Sequence, residues 1–234
     1  MKSATVFCLA LLFLSQPARA ARPFVTDDAR LTTAGSCQLE SWTRLYEDSR
    51  ELWALPACNP TGNLEVTLGG GQATEHSSGI TTSDLVLQLK TLFKPLAMND
   101  WGLGLAVGRV QHPEIHPGPN QLGNTYAYVP LSVSLRDDRI VVHTNLGWLR
   151  DQASGRDFMT WGLGGEFQTG SPRLNLIAET FGDDQNSPWW QAGLRWALIP
   201  QLLQIDATVG QQAGGRSDSR WLSFGLRWTP ERLY

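Results

Sequence analysis

The chain has 234 residues, of which 41% are hydrophobic and only 18% charged, and its formal net charge is −3. No basic block accompanies that balance, which argues against a nucleic-acid partner. The 23 glycines and 10 tryptophans suit a membrane β-barrel. Such a barrel wants Trp at the lipid–water interfaces and accepts Gly where side chains crowd a narrow lumen.

The first segment, Met1 to Ala20, reads as a secretory signal peptide. Lys2 supplies a positive start, Val6 to Leu14 a short apolar run, and Ala18-Arg19-Ala20 a small-residue cleavage site. The run is too short for a membrane helix, which needs roughly 20 residues. Cys8 sits in it without the small residues that a lipoprotein site would place before it. The expected organisation is therefore a signal peptide over 1–20, an N-terminal segment over 21–35 and an outer-membrane barrel over 36–234. Export exposes Cys37 and Cys58 to an oxidising compartment, so a disulfide is the leading reading; a metal pair or two free thiols are the alternatives.

From Cys37 onward, apolar and polar or small residues alternate with the period of strands. Two weaker strands come first, around Cys37–Tyr46 and Arg50–Ala57. A tight hairpin with Glu47 and Asp48 at its tip would place Cys37 opposite Cys58 and Trp42 opposite Trp53. Ten further strands follow. In the third and fourth, Leu64, Val66 and Leu68 oppose Glu65 and Thr67, and Leu85, Leu87 and Leu89 oppose Gln88 and Lys90. The clearest is the fifth, where Trp101, Leu103, Leu105 and Val107 oppose Gly102, Gly104, Ala106 and Gly108. Alternation recurs around Val129–Leu135, Val142–Trp148, Trp161–Phe167, Leu174–Glu179, Trp190–Leu198, Leu203–Val209 and Leu222–Trp228. The prediction is an all-β, antiparallel, up-and-down transmembrane barrel of about 12 strands, with both termini on the periplasmic side. Short turns at 58–62, 94–100, 136–139, 169–172 and 198–202 fall on that side. Mostly longer loops fall on the other, the longest at Gln111–Gly123.

Arg22-Pro-Phe-Val-Thr-Asp-Asp-Ala29, followed by Cys37-Gln-Leu-Glu-Ser-Trp42 and later by Ala178-Glu-Thr-Phe-Gly182, resembles a family of bacterial outer-membrane proteins. Its members are labelled transporters or phenol meta-cleavage (MetA) pathway proteins and are distantly similar to long-chain fatty-acid channels. The resemblance favours transport without supplying a substrate; with a polar lumen it leads to the expectation of a passive channel for small, apolar or aromatic solutes. Its partners would be outer-membrane lipids and, during biogenesis, the barrel-assembly machinery. Ala21–Gly35, with Arg22, Asp27 and Asp28, would partly plug the periplasmic mouth. No cofactor or metal is expected.

The inward faces carry charge: Glu166, Glu179, Arg195, Asp206 and Arg227 from five successive strands, with Glu40, Glu65 and Lys90 from the other side. These residues form either an ion-pair network that fills a narrow barrel or a selectivity belt along a solute path. The rival functions are a structural or surface-interaction barrel and a lipid hydrolase. For the latter, His143 and Asn145 share an inward face, but no local serine motif completes a catalytic set. His112-Pro-Glu-Ile-His116 is not a helical zinc motif, because Pro113 and Pro117 disfavour a helix. Asp27-Asp28 reads as a turn or plug contact rather than an acid–base pair.

Overall fold

The computed structural model describes residues 24–112, 123–215 and 219–231. The signal-peptide segment, Arg22 and His116 lie outside the described residues. The strands are β1 (Ser36–Tyr46), β2 (Ser49–Asn59), β3 (Glu65–Glu75), β4 (Thr81–Lys94), β5 (Trp101–Gln111) and β6 (Gly123–Leu135). They continue as β7 (Ile140–Asp151), β8 (Arg156–Gln168), β9 (Leu174–Asp183), β10 (Trp189–Ile199), β11 (Leu203–Gln212) and β12 (Trp221–Trp228). Each pairs antiparallel with its sequence neighbours, and β1 closes on β12, so the sheet has no free edge. No helix among the described residues is long and apolar enough to cross a membrane. Strands of 8–14 residues bracket the ~9–11 that a tilted membrane strand needs.

Period two decides which side chain meets which solvent. Leu68, Leu146, Phe93 and Phe224 point outward and are exposed, whereas Ala106, Ser132 and His143 point inward and are sealed from solvent. The short connections, including 136–139 and 200–202, lie at the end where β1 starts and β12 stops, here the terminal end. The opposite end is called distal.

The first hairpin has the register expected from its tip. Cys37 lies opposite Cys58, Trp42 opposite Trp53 and Leu45 opposite Arg50. A disulfide joins Cys37 to Cys58 across a Cα–Cα distance of 3.9 Å. Both cysteines share the outward face with Leu39 and Pro56, so the bond staples the hairpin without occupying the lumen.

The tryptophans depart from the interface expectation. Six face outward in two girdles: Trp101, Trp196 and Trp228 near the terminal end, and Trp148, Trp161 and Trp190 towards the distal end. The other four, Trp42, Trp53, Trp189 and Trp221, turn into the distal half of the lumen. There Trp42 stacks on Trp53, and Trp189 tilts against Trp221 at 5.5 Å. Alternation within each strand sets this, because each shares parity with an inward polar neighbour such as Glu40, Glu51, Gln191 or Ser223.

Candidate functional site: the lumen and residues 24–35

Residues 24–35 run inside the barrel. They reach further than the mouth-level position expected from sequence. At the terminal end, Asn59 donates to the Thr32 carbonyl at 2.8 Å, and the Thr32 N–H donates to Glu65 at 2.8 Å. Higher up, Asp27 lies at mid-barrel. Its carboxylate accepts from Lys90 Nζ at 2.8 Å and from the Tyr128 hydroxyl at 2.7 Å. Asp28 is fully buried and forms ion pairs with Lys90 at 3.5 Å and Arg30 at 3.7 Å. Oriented to its surroundings, the Asn145 amide accepts from the Asp27 N–H at 2.7 Å and donates to the Asp27 carbonyl at 2.9 Å.

One carboxylate clamps the next peptides. Glu179 accepts from the Val25 N–H at 2.7 Å, from the Thr26 N–H at 2.8 Å and from Gln191 at 2.5 Å. Gln191 in turn accepts from Thr208 at 2.9 Å. The Thr26 side chain rests against Gly162, where a Cβ would stand 2.4 Å from its Oγ1. Phe24 fills the remaining space between Ile177, the His143 ring and the Arg195 guanidinium.

A second chain of contacts starts from the same segment. The Ala29 N–H donates to Ser132 Oγ at 2.9 Å, and Ser132 Oγ lies 2.8 Å from His143 Nδ1. His143 Nε2 is 3.1 Å from Glu166 Oε1, and Arg195 donates to Glu166 Oε2 at 2.6 Å. With Glu166 accepting from Nε2–H, a singly protonated His143 has Nδ1 left to accept from the serine hydroxyl. The serine that the sequence reading did not find is thus Ser132, on the neighbouring strand. Its signal was available: counting back three places on each arm of the 136–139 turn brings Ser132 opposite His143. Ser132 and His143 are both fully buried, and Ser132 Oγ is already engaged by the Ala29 N–H.

All eight charged residues singled out from the sequence face inward. Three pairs of opposite sign stand directly across from each other: Glu40 and Arg227, Glu65 and Lys90, and Arg195 and Asp206. Arg227 also donates to Gln38 at 3.3 Å. Beside the segment lies a cavity of about 110 Å³ bordered by Arg30, Glu40, Glu65 and Lys90. That is the share of a few waters at ~30 Å³ each. At this level residues 24–35 occupy part of the lumen, held to Glu65, Lys90, Tyr128 and Glu179. Val25 is 46% exposed, so solvent reaches this part of the segment. Among the described residues, no group of His, Cys, Asp and Glu could hold a metal ion.

Over residues 8–228 the chain matches the family described as uncharacterised conserved protein UCP029691, and it belongs to that family. No curated protein matches it. Two solved barrels are similar in fold. The KdgM porin in complex with disordered oligogalacturonate aligns with a TM-score of 0.61 at 8% identity, over 82% of this chain and 99% of that one. The NanC porin aligns with a TM-score of 0.55 at 10% identity, over 82% and 98%. Neither the family description nor these structures carries the phenol meta-cleavage label or the fatty-acid channel suggested by the sequence resemblance.

Proposed function

We propose that the chain is exported, loses residues 1–20 and acts in the outer membrane as a passive channel for small solutes, closed at rest by residues 21–35. The observation that carries this reading is the nature of the obstruction. A continuous N-terminal segment runs inside the lumen and is held there by hydrogen bonds and ion pairs, as at Glu179 and Lys90. Such contacts can be exchanged for water when the segment leaves, and the walls behind it are polar. Lipids would surround the outward leucines and the two tryptophan girdles, and the barrel-assembly machinery would insert the strands. Likeness to two porins supports the architecture of the proposal.

The test is conductance of the purified protein in a planar bilayer, with and without residues 24–33. Low conductance that rises sharply on deletion is the expected result. Silence of both proteins, with unchanged solute uptake by a deletion strain, would favour a structural or surface-interaction barrel instead.

A second reading, hydrolysis with Ser132 as nucleophile, has the Ser132–His143–Glu166 chain in its favour. The burial of Ser132 and its bond to Ala29 stand against it. Labelling of Ser132 by a fluorophosphonate in the protein lacking residues 24–33, absent in Ser132→Ala, would establish it.

A further inference from the structure

A further cavity lies on the terminal side of Phe24, and its cause is a small residue between two long ones. Where β9, β10 and β11 meet the terminal end, one inward row reads Arg173, Ala197, Gln204. The Ala197 N–H donates to the Arg173 carbonyl at 2.8 Å, and Ala197 stands opposite Gln204. The next row inwards reads Asn175, Arg195, Asp206. The short side chain of Ala197 leaves a space of about 110 Å³ bordered by these two rows and by Glu166. That equals about four waters at ~30 Å³ each, the bulk of a small organic acid.

The space can be entered. Its rim carries Pro172, Arg173 and Pro200, all exposed, so it opens to the terminal side between the turns at 169–172 and 200–202. Its inner end is Arg195, whose guanidinium sits over the Phe24 ring at 5.7 Å. None of residues 24–35 borders it, so a guest reaches it without displacing the segment.

The lining offers donors. Glu166 supplies its negative charge, and that carboxylate is engaged by Arg195 at 2.6 Å and by His143 at 3.1 Å. Arg195 also faces Asp206 across the strand pair. Arg173 has no acid within ion-pair distance among the described residues, which leaves one positive charge in excess at the rim. Asn175 and Gln204 each bring an amide whose oxygen is sealed from solvent and meets no donor, which leaves the NH2 end for the cavity. A guanidinium fork with two amide donors matches a planar carboxylate. One excess charge matches a monoanion, whereas a divalent phosphate would bring a second negative charge towards Glu166.

We propose that this cavity binds the carboxylate of a small organic acid, taken from the terminal side by Arg173, Asn175 and Gln204. The site deepens the channel reading by naming a solute class. It rests on that reading for its purpose but not for its existence.

Fluorine NMR of trifluoroacetate, titrated with the purified full chain in uncharged micelles at fixed ionic strength, tests it. Saturable line broadening is expected, with none for trifluoroacetamide, the neutral molecule of the same shape. Excess acetate should reverse the broadening and inorganic phosphate should not. Arg173→Gln should weaken binding about tenfold, the scale of one hydrogen bond between charged groups. Ala197→Leu should abolish it by filling the space, while Arg150→Gln on the outer surface should change nothing. Heat-modifiable gel mobility checks that each barrel is folded. No saturable broadening, equal broadening by the amide, or parent-like binding by Arg173→Gln overturns the site, and equal competition by phosphate overturns its assignment to carboxylates. Binding without conductance in any form of the protein would overturn the channel and leave the site standing; conductance without binding would do the reverse.

Discussion

Gly162→Ala is the sharpest test of whether residues 24–35 are a separable obstruction. A Cβ at position 162 would lie 2.4 Å from Thr26 Oγ1 and 3.2 Å from Thr26 Cβ and Cγ2. All three near atoms belong to the segment and none to the barrel wall, so the strain falls on the segment's seat. Overpacking of this kind costs about 1–3 kcal/mol. Against it stand the hydrogen bonds from the Val25 and Thr26 N–H groups to Glu179, each worth about 1.5–3 kcal/mol because the acceptor is charged. The segment should therefore stay seated most of the time, while its open population rises about 5–150-fold. Cleavage by trypsin after Arg30 reads that population, because the side chain of Arg30 is only 10% exposed in the seated state. The expected result is faster cleavage with unchanged heat-modifiable gel mobility of the barrel. Thr26→Ala removes two of the three clashing atoms, so adding it to Gly162→Ala should return cleavage most of the way to the parent rate. An unchanged rate in Gly162→Ala, or a barrel that loses heat resistance without any gain in cleavage, would refute the separability of the segment.

Three further outcomes follow from the same contacts. Glu179→Gln should raise trypsin cleavage after Arg30 as Gly162→Ala does, because it weakens the clamp on Val25 and Thr26; an unchanged rate would show that the clamp does not hold the segment. Arg195→Ala leaves the Glu166 carboxylate buried with its 2.6 Å partner gone and should cost about 3–5 kcal/mol in urea unfolding from micelles. Adding Glu166→Gln should recover a good part of that cost, and failure to recover would mean that Arg195 acts through other contacts. Cys37→Ser opens a loop of sequence separation 21 and should cost about 3 kcal/mol by chain entropy. Mass spectrometry of the exported protein alkylated without reductant checks the bond itself, and two labelled thiols would refute it.

Much of this architecture is legible in the chain because a β-barrel is written in a code of period two. Trp101-Gly-Leu-Gly-Leu-Ala-Val-Gly108 assigns its own faces, and so do the strands that carry Glu166, Arg195 and Arg227. A tight turn adds register: the Glu47-Asp48 tip is enough to bring Cys37 opposite Cys58. The same count from the 136–139 turn pairs Ser132 with His143, so that contact too is legible in the chain. Local sequence does not carry what lies across the lumen. Parity places Glu179 inside, but nothing in its strand says that its carboxylate will meet the peptides of Val25 and Thr26, more than 150 residues away. Composition suggested tryptophan girdles, and strand parity turns four of the ten inward; that Trp53 would lie on Gly71 and Trp221 on Gly210 is set by inter-strand register. The sequence by itself determined the strands, their faces and the local hairpins, since these depend on residues close along the chain. Only the tertiary structure decided how deep the segment runs and which inward groups meet it, since those depend on closing β1 against β12 and on the narrow width that closure leaves.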